Sequence, residues 1–436
     1  MTTTTQHQGV TSEEKRVLSA TLVGTAIEWY DFFIYAQAAA LILGPLFFAG
    51  LASDAPALAE ILSFATIGIS FLFRPLGAMI CGYMGDRYGR KIVLVLTLIL
   101  MGAATTLIGL LPTYAQIGIW APIILVILRI LQGFSAGGEW GGAALMAVEH
   151  APVHRRSFFG AFPQIGVPIG MLLATGTTLL ITAIIGKEAY MEWGWRIPFL
   201  LSLVLIGVGV LIRRAVEESP VFEKLHERRK ESSAPMRELF KNHFGTVMQT
   251  AFIFVANNAG GYLLIAFVIG YSQKVLGFPP ITSMLMACAG ATSWLIFTLL
   301  GGHLGDKWGR KRTFQVGYTI LAIWAIPMWF LMDTKDPALF ILALSVLAAG
   351  LGLSYGPQSA LYAEMFPAKV RYSGVSVGYA LGAILGGAFA PMIASAIMAT
   401  YKQSYLIGVY LLCLTIISFT AVTMIKKDPQ GIDLNK

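Results

Sequence analysis

Twelve stretches of this chain are long, apolar and almost free of charge. They run at roughly 17–45, 59–83, 92–113, 118–147, 156–186, 194–213, 244–272, 282–304, 313–332, 338–363, 371–399 and 403–425. A helix that crosses a bilayer needs about 20 such residues. In hydrocarbon, every backbone N–H and C=O must be paired within its own segment or in a closed barrel. The runs are continuous rather than alternating, so they predict helices and not barrel strands. Charge content agrees: 12% of the 436 residues are charged and 56% are hydrophobic, against about 25% charged in soluble domains. The expected fold is an all-α, multi-pass protein of the cell membrane. Its 46 glycines suit close helix packing in lipid. Cys81, Cys288 and Cys413 lie in apolar runs without metal-ligand spacing, so they read as small packing residues and no metal is expected. Met1–Ser12 is polar and lacks an apolar centre, so the first span is expected to direct insertion itself.

The net charge of +8 raises the question of nucleic acid, and its distribution answers it. With the N-terminus in the cytoplasm, that side carries Lys15, Arg16, Arg87, Arg90, Lys91, Arg155, Arg156, the bases from Arg213 to Lys241, Lys307, Arg310, Lys311, Arg312, Lys369, Arg371, Lys426, Lys427 and Lys436. The other side carries Lys187, Lys274, Lys335 and Lys402, with Arg196 at its edge. This is a positive-inside pattern with both termini cytoplasmic. It assigns the basic charge to the lipid headgroups and leaves no role for nucleic acid. The expected segments are a tail at 1–16, a six-helix bundle at 17–213, a polar linker at 214–243, a second six-helix bundle at 244–425 and a short tail at 426–436.

One short stretch occurs twice. Gly82-Tyr83-Met84-Gly85-Asp86-Arg87-Tyr88-Gly89-Arg90-Lys91 returns 220 residues later as Gly302-His303-Leu304-Gly305-Asp306-Lys307-Trp308-Gly309-Arg310-Lys311. A second pair recurs at an offset of 215: Glu149, Pro152 and Arg156 echo in Glu364, Pro367 and Arg371. Six helices repeated in parallel form the sequence pattern of a two-bundle transporter. The duplicated charged hinge resembles the loop between helices two and three, and between eight and nine, of the major facilitator superfamily. Three further stretches narrow the likeness: Glu28-Trp29-Tyr30-Asp31-Phe32; Arg129-Ile130-Leu131-Gln132-Gly133 leading to Gly137-Gly138-Glu139-Trp140-Gly141-Gly142-Ala143; and Trp193-Gly194-Trp195-Arg196-Ile197-Pro198-Phe199. Together they resemble the metabolite:proton symporter family, which includes shikimate, α-ketoglutarate, citrate and proline/betaine permeases. The resemblance covers nearly the whole chain. It implies two pseudo-symmetric bundles rocking about a central site, a functional monomer, a small-molecule substrate, and the proton as coupling ion with no other cofactor. Osmosensing members carry a C-terminal coiled coil. The residues after the last span here, Lys426–Lys436, show no heptads, which weakens the osmosensor expectation.

Ionisable residues inside the membrane cost at least about 2.5–3.5 kcal/mol each and are functional candidates by default. Glu28, Asp31, Arg74, Arg129 and Glu139 lie at such depth. Glu28 and Asp31 are three apart on one helix face, with Tyr35 a turn further. Two ionised carboxylates so placed repel, which suits one of them to carry a proton; the alternative is permanent pairing with a base such as Arg129. Arg129, with its planar fork, suits a proton relay, a substrate carboxylate or structural pairing. Gln132 and Glu139 share a face seven residues apart, and Glu139 could take a proton, a cationic substrate group or a neighbouring helix. Proton coupling is thus expected from Glu28, Asp31, Arg129 and Glu139. Arg74 is expected to snorkel to the interface. Substrate contacts are expected from Tyr35, Arg129, Gln132, Glu139, Asn257, Asn258, Tyr262, Tyr355 and Gln358, and a conformational gate from Asp86, Arg87, Arg90, Asp306 and Arg310, whose charges can form ion pairs between bundles and contacts at helix ends. The expected activity is uptake of an organic acid such as shikimate or a di- or tricarboxylate, the alternatives being a zwitterion such as proline or betaine, or proton-coupled export. Drug exporters of the superfamily carry an adjacent Gly-Pro in the fifth span. Here Gly166 and Pro168 are separated by Val167. No nucleophile–base set or phosphate loop suggests an enzyme.

Overall fold

A computed structural model describes residues 11–48, 50, 56–227 and 235–435. The expected tail before Thr11 and the basic run at 228–230 lie outside the described residues. Among the described residues, eleven helices are long and apolar enough to cross a membrane, and a bent pair makes a twelfth, as the apolar runs predicted. The first half contains α1 (Ser12–Ala38), α2 (Pro56–Leu72), α3 (Arg74–Tyr88), α4 (Arg90–Leu110), α5 (Trp120–Glu149), α6 (Arg156–Ile185) and α7 (Arg196–Arg214). The second contains α8 (Phe244–Tyr262), α9 (Pro280–Trp308), α10 (Arg310–Trp324), α11 (Pro327–Asp333), α12 (Pro337–Tyr355), α13 (Gln358–Met365), α14 (Arg371–Ala383), α15 (Ala390–Tyr401) and α16 (Tyr405–Thr423). Two short helices, Pro220–Glu227 and Pro235–Asn242, lie between the halves in sequence.

Local chemistry explains the breaks. Thr11 and Glu14 form a reciprocal cap that starts α1. The ninth span bends by 49° between α10 and α11, where Pro327 removes a donor and crowds the preceding turn. At the hinges no loop intervenes: Gly89 (φ 109°) and Gly309 (φ 93°) join consecutive helices at right-handed-forbidden angles, which only glycine adopts without strain. The seventh and eleventh spans each loosen into a π-helical turn, Leu263–Phe267 and Ile384–Ala388.

The two halves pack alike. α4 lies against α5 and α7, and α3 crosses α5; in the second half α10 lies against α12 and α16, and α9 crosses α12. The bundles meet through crossed pairs, α3 and α5 with α14 and α9 with α6. The most apolar windows of α1 and of the Phe244–Lys274 span are 83% buried, against 33% for α7. The former are therefore inner helices and the latter faces lipid. The small residues of α5 permit α2 and α3 to cross it closely: a Cβ on Gly137 would lie 2.0 Å from the Arg74 carbonyl oxygen, and one on Gly133 would lie 2.0 Å from that of Ser70. Backbone cannot yield as a side-chain tip can. Gly137→Ala is accordingly expected to cost about 1–3 kcal/mol and to lower the thermal midpoint in detergent by several degrees; an unchanged midpoint would show that the helices separate freely.

Candidate functional site

A small cavity lies between the halves. Trp29 and Val167 come from the first half, and Phe254, Asn257, Asn258, Tyr262, Trp294, Tyr355 and Tyr379 from the second. Asn257 is committed internally, donating to the Leu351 carbonyl at 2.9 Å and to Ser354 Oγ at 2.7 Å. Asn258 Oδ1, the Tyr262 hydroxyl and Trp294 Nε1 are buried without a well-formed hydrogen bond among the described residues, the Tyr262 hydroxyl facing Arg74. Such atoms cost about 1–3 kcal/mol each unless something pairs with them. Behind one wall, Trp140 stacks on Tyr379 at 3.9 Å, Tyr379 on Phe254 at 4.4 Å, and Phe254 on Tyr355 at 6.2 Å. Gln164, unremarked in the sequence, joins the halves by accepting from Trp140 Nε1 at 2.6 Å and donating to the Tyr355 carbonyl at 3.1 Å.

The first half holds a polar chain beside this cavity. Asp31 is fully buried and accepts from Ser202 Oγ at 2.6 Å and Thr105 Oγ1 at 2.9 Å. Gln132 Nε2 donates to Thr105 at 2.8 Å, and Gln132 Oε1 accepts from Arg129 at 2.6 Å. Arg129 also donates to Ser70 Oγ at 3.1 Å and the Thr66 carbonyl at 3.3 Å, and lies over the Tyr35 ring at 3.7 Å. Tyr35 and Thr66 share a hydrogen bond of 2.5 Å. Arg129 therefore reaches Asp31 only through Gln132 and Thr105; the direct pairing held open by the sequence is not formed. Thr105 and Ser202 lie on α4 and α7, far from Asp31 in sequence, and no local pattern marks them.

Glu139 is already paired. Arg213 approaches it with both terminal nitrogens, one at 3.0 Å, and Thr97 donates to it at 2.7 Å. Arg213 corrects an expectation. It was grouped with the surface bases, yet it is 4% exposed, because a buried carboxylate draws a cation from the next helix. Arg74 corrects another. It does not snorkel to an interface: it is 5% exposed and its guanidinium lies over Phe71 at 4.2 Å, with Phe32 at 5.7 Å and Trp29 at 6.0 Å. Glu28, also buried, accepts no hydrogen bond from the described residues and lies in electrostatic reach of Arg74 and Glu139. Among the expected substrate contacts, Asn257, Asn258, Tyr262 and Tyr355 line the cavity. Tyr35, Arg129 and Gln132 belong to the polar chain of the first half. Gln358 sits beyond the Gly356–Pro357 break, its side-chain amide buried without a well-formed hydrogen bond among the described residues and off the cavity wall.

The hinge residues close one end of the molecule in two pseudo-symmetric halves. Asp86 accepts from the backbone nitrogens of Tyr372 and Ser373, each at 3.0 Å, and from Ser373 Oγ at 2.6 Å. It thereby caps α14 of the other bundle. Asp306 accepts from the backbone nitrogens of Ser157 and Phe158, each at 2.9 Å, and caps α6. Glu149 is held by Arg90 at 3.3 Å from its own half and Arg371 at 3.5 Å from the other. Glu364 is held by Arg310 at 3.1 Å and Arg156 at 3.2 Å in the same way. Glu149, Arg156, Glu364 and Arg371 were visible in the sequence as a repeat at offset 215, but not as gate residues. Arg87 is exposed, resting on Tyr83 and Tyr88 of its own helix. The connecting segments complete the closure. Glu218 accepts from the backbone nitrogens of Arg90 and Lys91, each at 3.1 Å. Asp428 accepts from that of Lys311 at 2.9 Å. Arg156 and Arg371 donate to the carbonyls of Ile432 and Leu434 at 2.7 and 2.9 Å.

A family model described as Major Facilitator Superfamily matches residues 21–391. The chain belongs to the major facilitator superfamily. It is 37% identical over 418 residues to the inner membrane metabolite transport protein YhjE of Escherichia coli K12, covering 95% of this chain and 94% of that one. It is 37% identical over 426 residues to the shikimate transporter of the same organism, covering 96% of each. It is 32% identical over 420 residues to the proline/betaine transporter of Salmonella typhimurium, covering 94% of this chain and 83% of that one. In fold it is similar to the proton:xylose symporter XylE bound to 6-bromo-6-deoxy-D-glucose, with a TM-score of 0.83 at 18% identity over 98% of each chain. The overlay on inward-open XylE of E. coli scores 0.64 at 18% identity, covering 95% of this chain and 96% of that one. This superfamily member is a multi-pass metabolite transporter of the cell membrane and not an enzyme.

Proposed function

We propose that this transporter is a proton-coupled symporter that imports a small organic acid by alternating access about the interbundle cavity. The observation that carries the reading is the fully buried Asp31, hydrogen-bonded by Ser202 and Thr105 and joined to Arg129 through Gln132. A carboxyl with no cation in ion-pair reach among the described residues is costly to leave ionised away from water, and hydroxyls on either side offer it a proton path. The basic hinge face is taken as cytoplasmic by the positive-inside rule. Its closure supports a state closed toward the cytoplasm. Shikimate is the first substrate to try, given the shikimate transporter among the relatives. A zwitterion is the second reading, favoured by the aromatic cavity wall, since such walls also bind quaternary ammonium groups.

The test is uptake by cells expressing the protein, with medium pH recorded as labelled substrate is added. Symport is expected to alkalinise the medium as substrate enters and to accumulate it severalfold more at pH 6 than at pH 8. Acidification on substrate entry, or accumulation indifferent to pH, would refute proton symport; expulsion of substrate against its gradient would establish export.

A further inference from the structure

The deep arginines of the first half are not equivalent. Arg213 is taken by Glu139. Arg129 spends its donors on Gln132, Ser70 and the Thr66 carbonyl. Arg74 has no carboxylate within ion-pair distance among the described residues, and its buried Nε has no hydrogen-bond partner. A guanidinium offers five donors in a planar fork matched to a carboxylate. Burying it at 5% exposure with Nε unpaired among the described residues, and with Glu28 and the Tyr262 hydroxyl in electrostatic reach, leaves donor capacity open to a ligand.

The surroundings point to where the ligand lies. Arg74 rests on Phe71, Phe32 and Trp29. The same three rings pack against Tyr262 of the opposite bundle, at 5.1, 5.9 and 6.4 Å between centroids. Trp29 and Tyr262 are walls of the cavity, and Tyr262 lies within electrostatic reach of Arg74. Arg74 thus stands at the rim of the cavity, behind a collar of aromatic rings that excludes water and strengthens any charge-assisted hydrogen bond formed there. Beyond the collar, the groups without a well-formed hydrogen bond among the described residues are uncharged: Asn258 Oδ1 as acceptor, Trp294 Nε1 as donor, and the Tyr262 hydroxyl, which faces Arg74. Among the described residues no acid lines the cavity itself; Glu28 lies behind it, in electrostatic reach of Tyr262 and Tyr355 and of Arg74.

We infer that Arg74 is the carboxylate ligand of the transported molecule, and that this molecule is a small hydroxylated monocarboxylate whose hydroxyls pair with Tyr262, Asn258 and Trp294. The inference rests on the reading of the cavity as the transport site. One unspent guanidinium provides for one carboxylate, which disfavours di- and tricarboxylates.

The full-length protein in lipid nanodiscs can be titrated with shikimate, shikimate methyl ester, glycine betaine and 2-oxoglutarate. Fluorescence of Trp29 and Trp294 in the cavity wall serves as the readout. Shikimate is expected to bind best and its methyl ester about 100-fold more weakly, the loss of a charge-assisted pair. Arg74→Gln should weaken shikimate by about 100-fold and Arg74→Lys by about 10-fold, since an ammonium keeps the charge without the fork. Tyr262→Phe should weaken shikimate severalfold and leave glycine betaine unchanged. The ester comparison is made on the unaltered protein, so it stands even if Arg74→Gln fails to fold. Equal binding of acid and ester, unchanged affinity in a folded Arg74→Gln protein, or no binding by any of the acids would overturn the assignment of Arg74. Preference for 2-oxoglutarate or glycine betaine would overturn the substrate class. Proton coupling is read separately from pH-driven uptake, so a carboxylate site without symport and symport without a carboxylate site give different results.

Discussion

Asp31→Asn is expected to abolish proton-driven accumulation while leaving substrate exchange within about twofold of the unaltered protein. The amide cannot release or take up a proton in the working pH range, but it fits the same space. Its oxygen can accept from Ser202, as the carboxylate does at 2.6 Å. Its NH2 can donate to Thr105 Oγ1, because the Thr105 hydroxyl has a second acceptor in the Met101 carbonyl at 2.9 Å. No buried group is left unpaired, so the large destabilisation that follows an orphaned polar atom is not expected. Proteoliposomes make the separation. With an inward proton gradient the unaltered protein should concentrate substrate and the variant should only equilibrate it, whereas counterflow of labelled against unlabelled substrate should proceed in both. Driven accumulation that persists in Asp31→Asn would remove Asp31 from the coupling mechanism and direct attention to Glu28, the other buried carboxyl on the same helix.

Asp86→Asn is expected to act on which way the transporter faces. The carboxylate accepts three hydrogen bonds from the first turn of α14 and complements the positive end of that helix. An amide keeps one acceptor oxygen and loses the charge. A cap of this kind is worth about 1 kcal/mol, and hydrogen bonds to charged groups about 1.5–3 kcal/mol. The population open at the hinge face should therefore rise by about 10-fold, with substrate affinity changed less. Asp306 does the same work on α6, so Asp306→Asn should act in the same direction, and the double variant more strongly than either. A cysteine at Ser376 reports opening, because Ser376 is 1% exposed and faces Gly141 across the bundle interface. With Cys81, Cys288 and Cys413 replaced, maleimide labelling at position 376 should speed up by about 10-fold in Asp86→Asn. Equal labelling in the double variant would mean that Asp86 and Asp306 do not hold the gate. The remaining ion pairs, Arg90 and Arg371 on Glu149 and Arg156 and Arg310 on Glu364, keep the closed state from being lost altogether.

Much of this architecture is legible in one dimension, for a physical reason. Lipid imposes its requirement on each segment separately, so span number and helical class follow from apolar run length. Among the described residues, the ninth span is bent by 49° at Pro327, and the seventh and eleventh loosen into π-helical turns. Duplication is likewise a property of the chain itself, and the two hinges with their positive-φ glycines stand at the same place in each half. Burial of Asp31, Glu139 and Arg129 follows from charge within apolar runs. What each of them faces does not. A helix places its own residues on faces, but partners come from other helices whose rotation depends on packing. Thr105 and Ser202 for Asp31, and Arg213 for Glu139, could not be read in advance. Arg74 shows the limit most clearly: three turns from the hinge, it had the spacing of a residue that snorkels, and only the meeting of Phe71, Phe32 and Trp29 with Tyr262 of the other bundle keeps it inside. The sequence by itself determined a duplicated helical transporter with charged hinges and a few deep ionisable groups, because those features depend on segments and their solvent. Tertiary structure alone decided which of those groups are neutralised and which remain unspent at the cavity, because pairing in a low-dielectric interior depends on contacts between helices far apart in the chain.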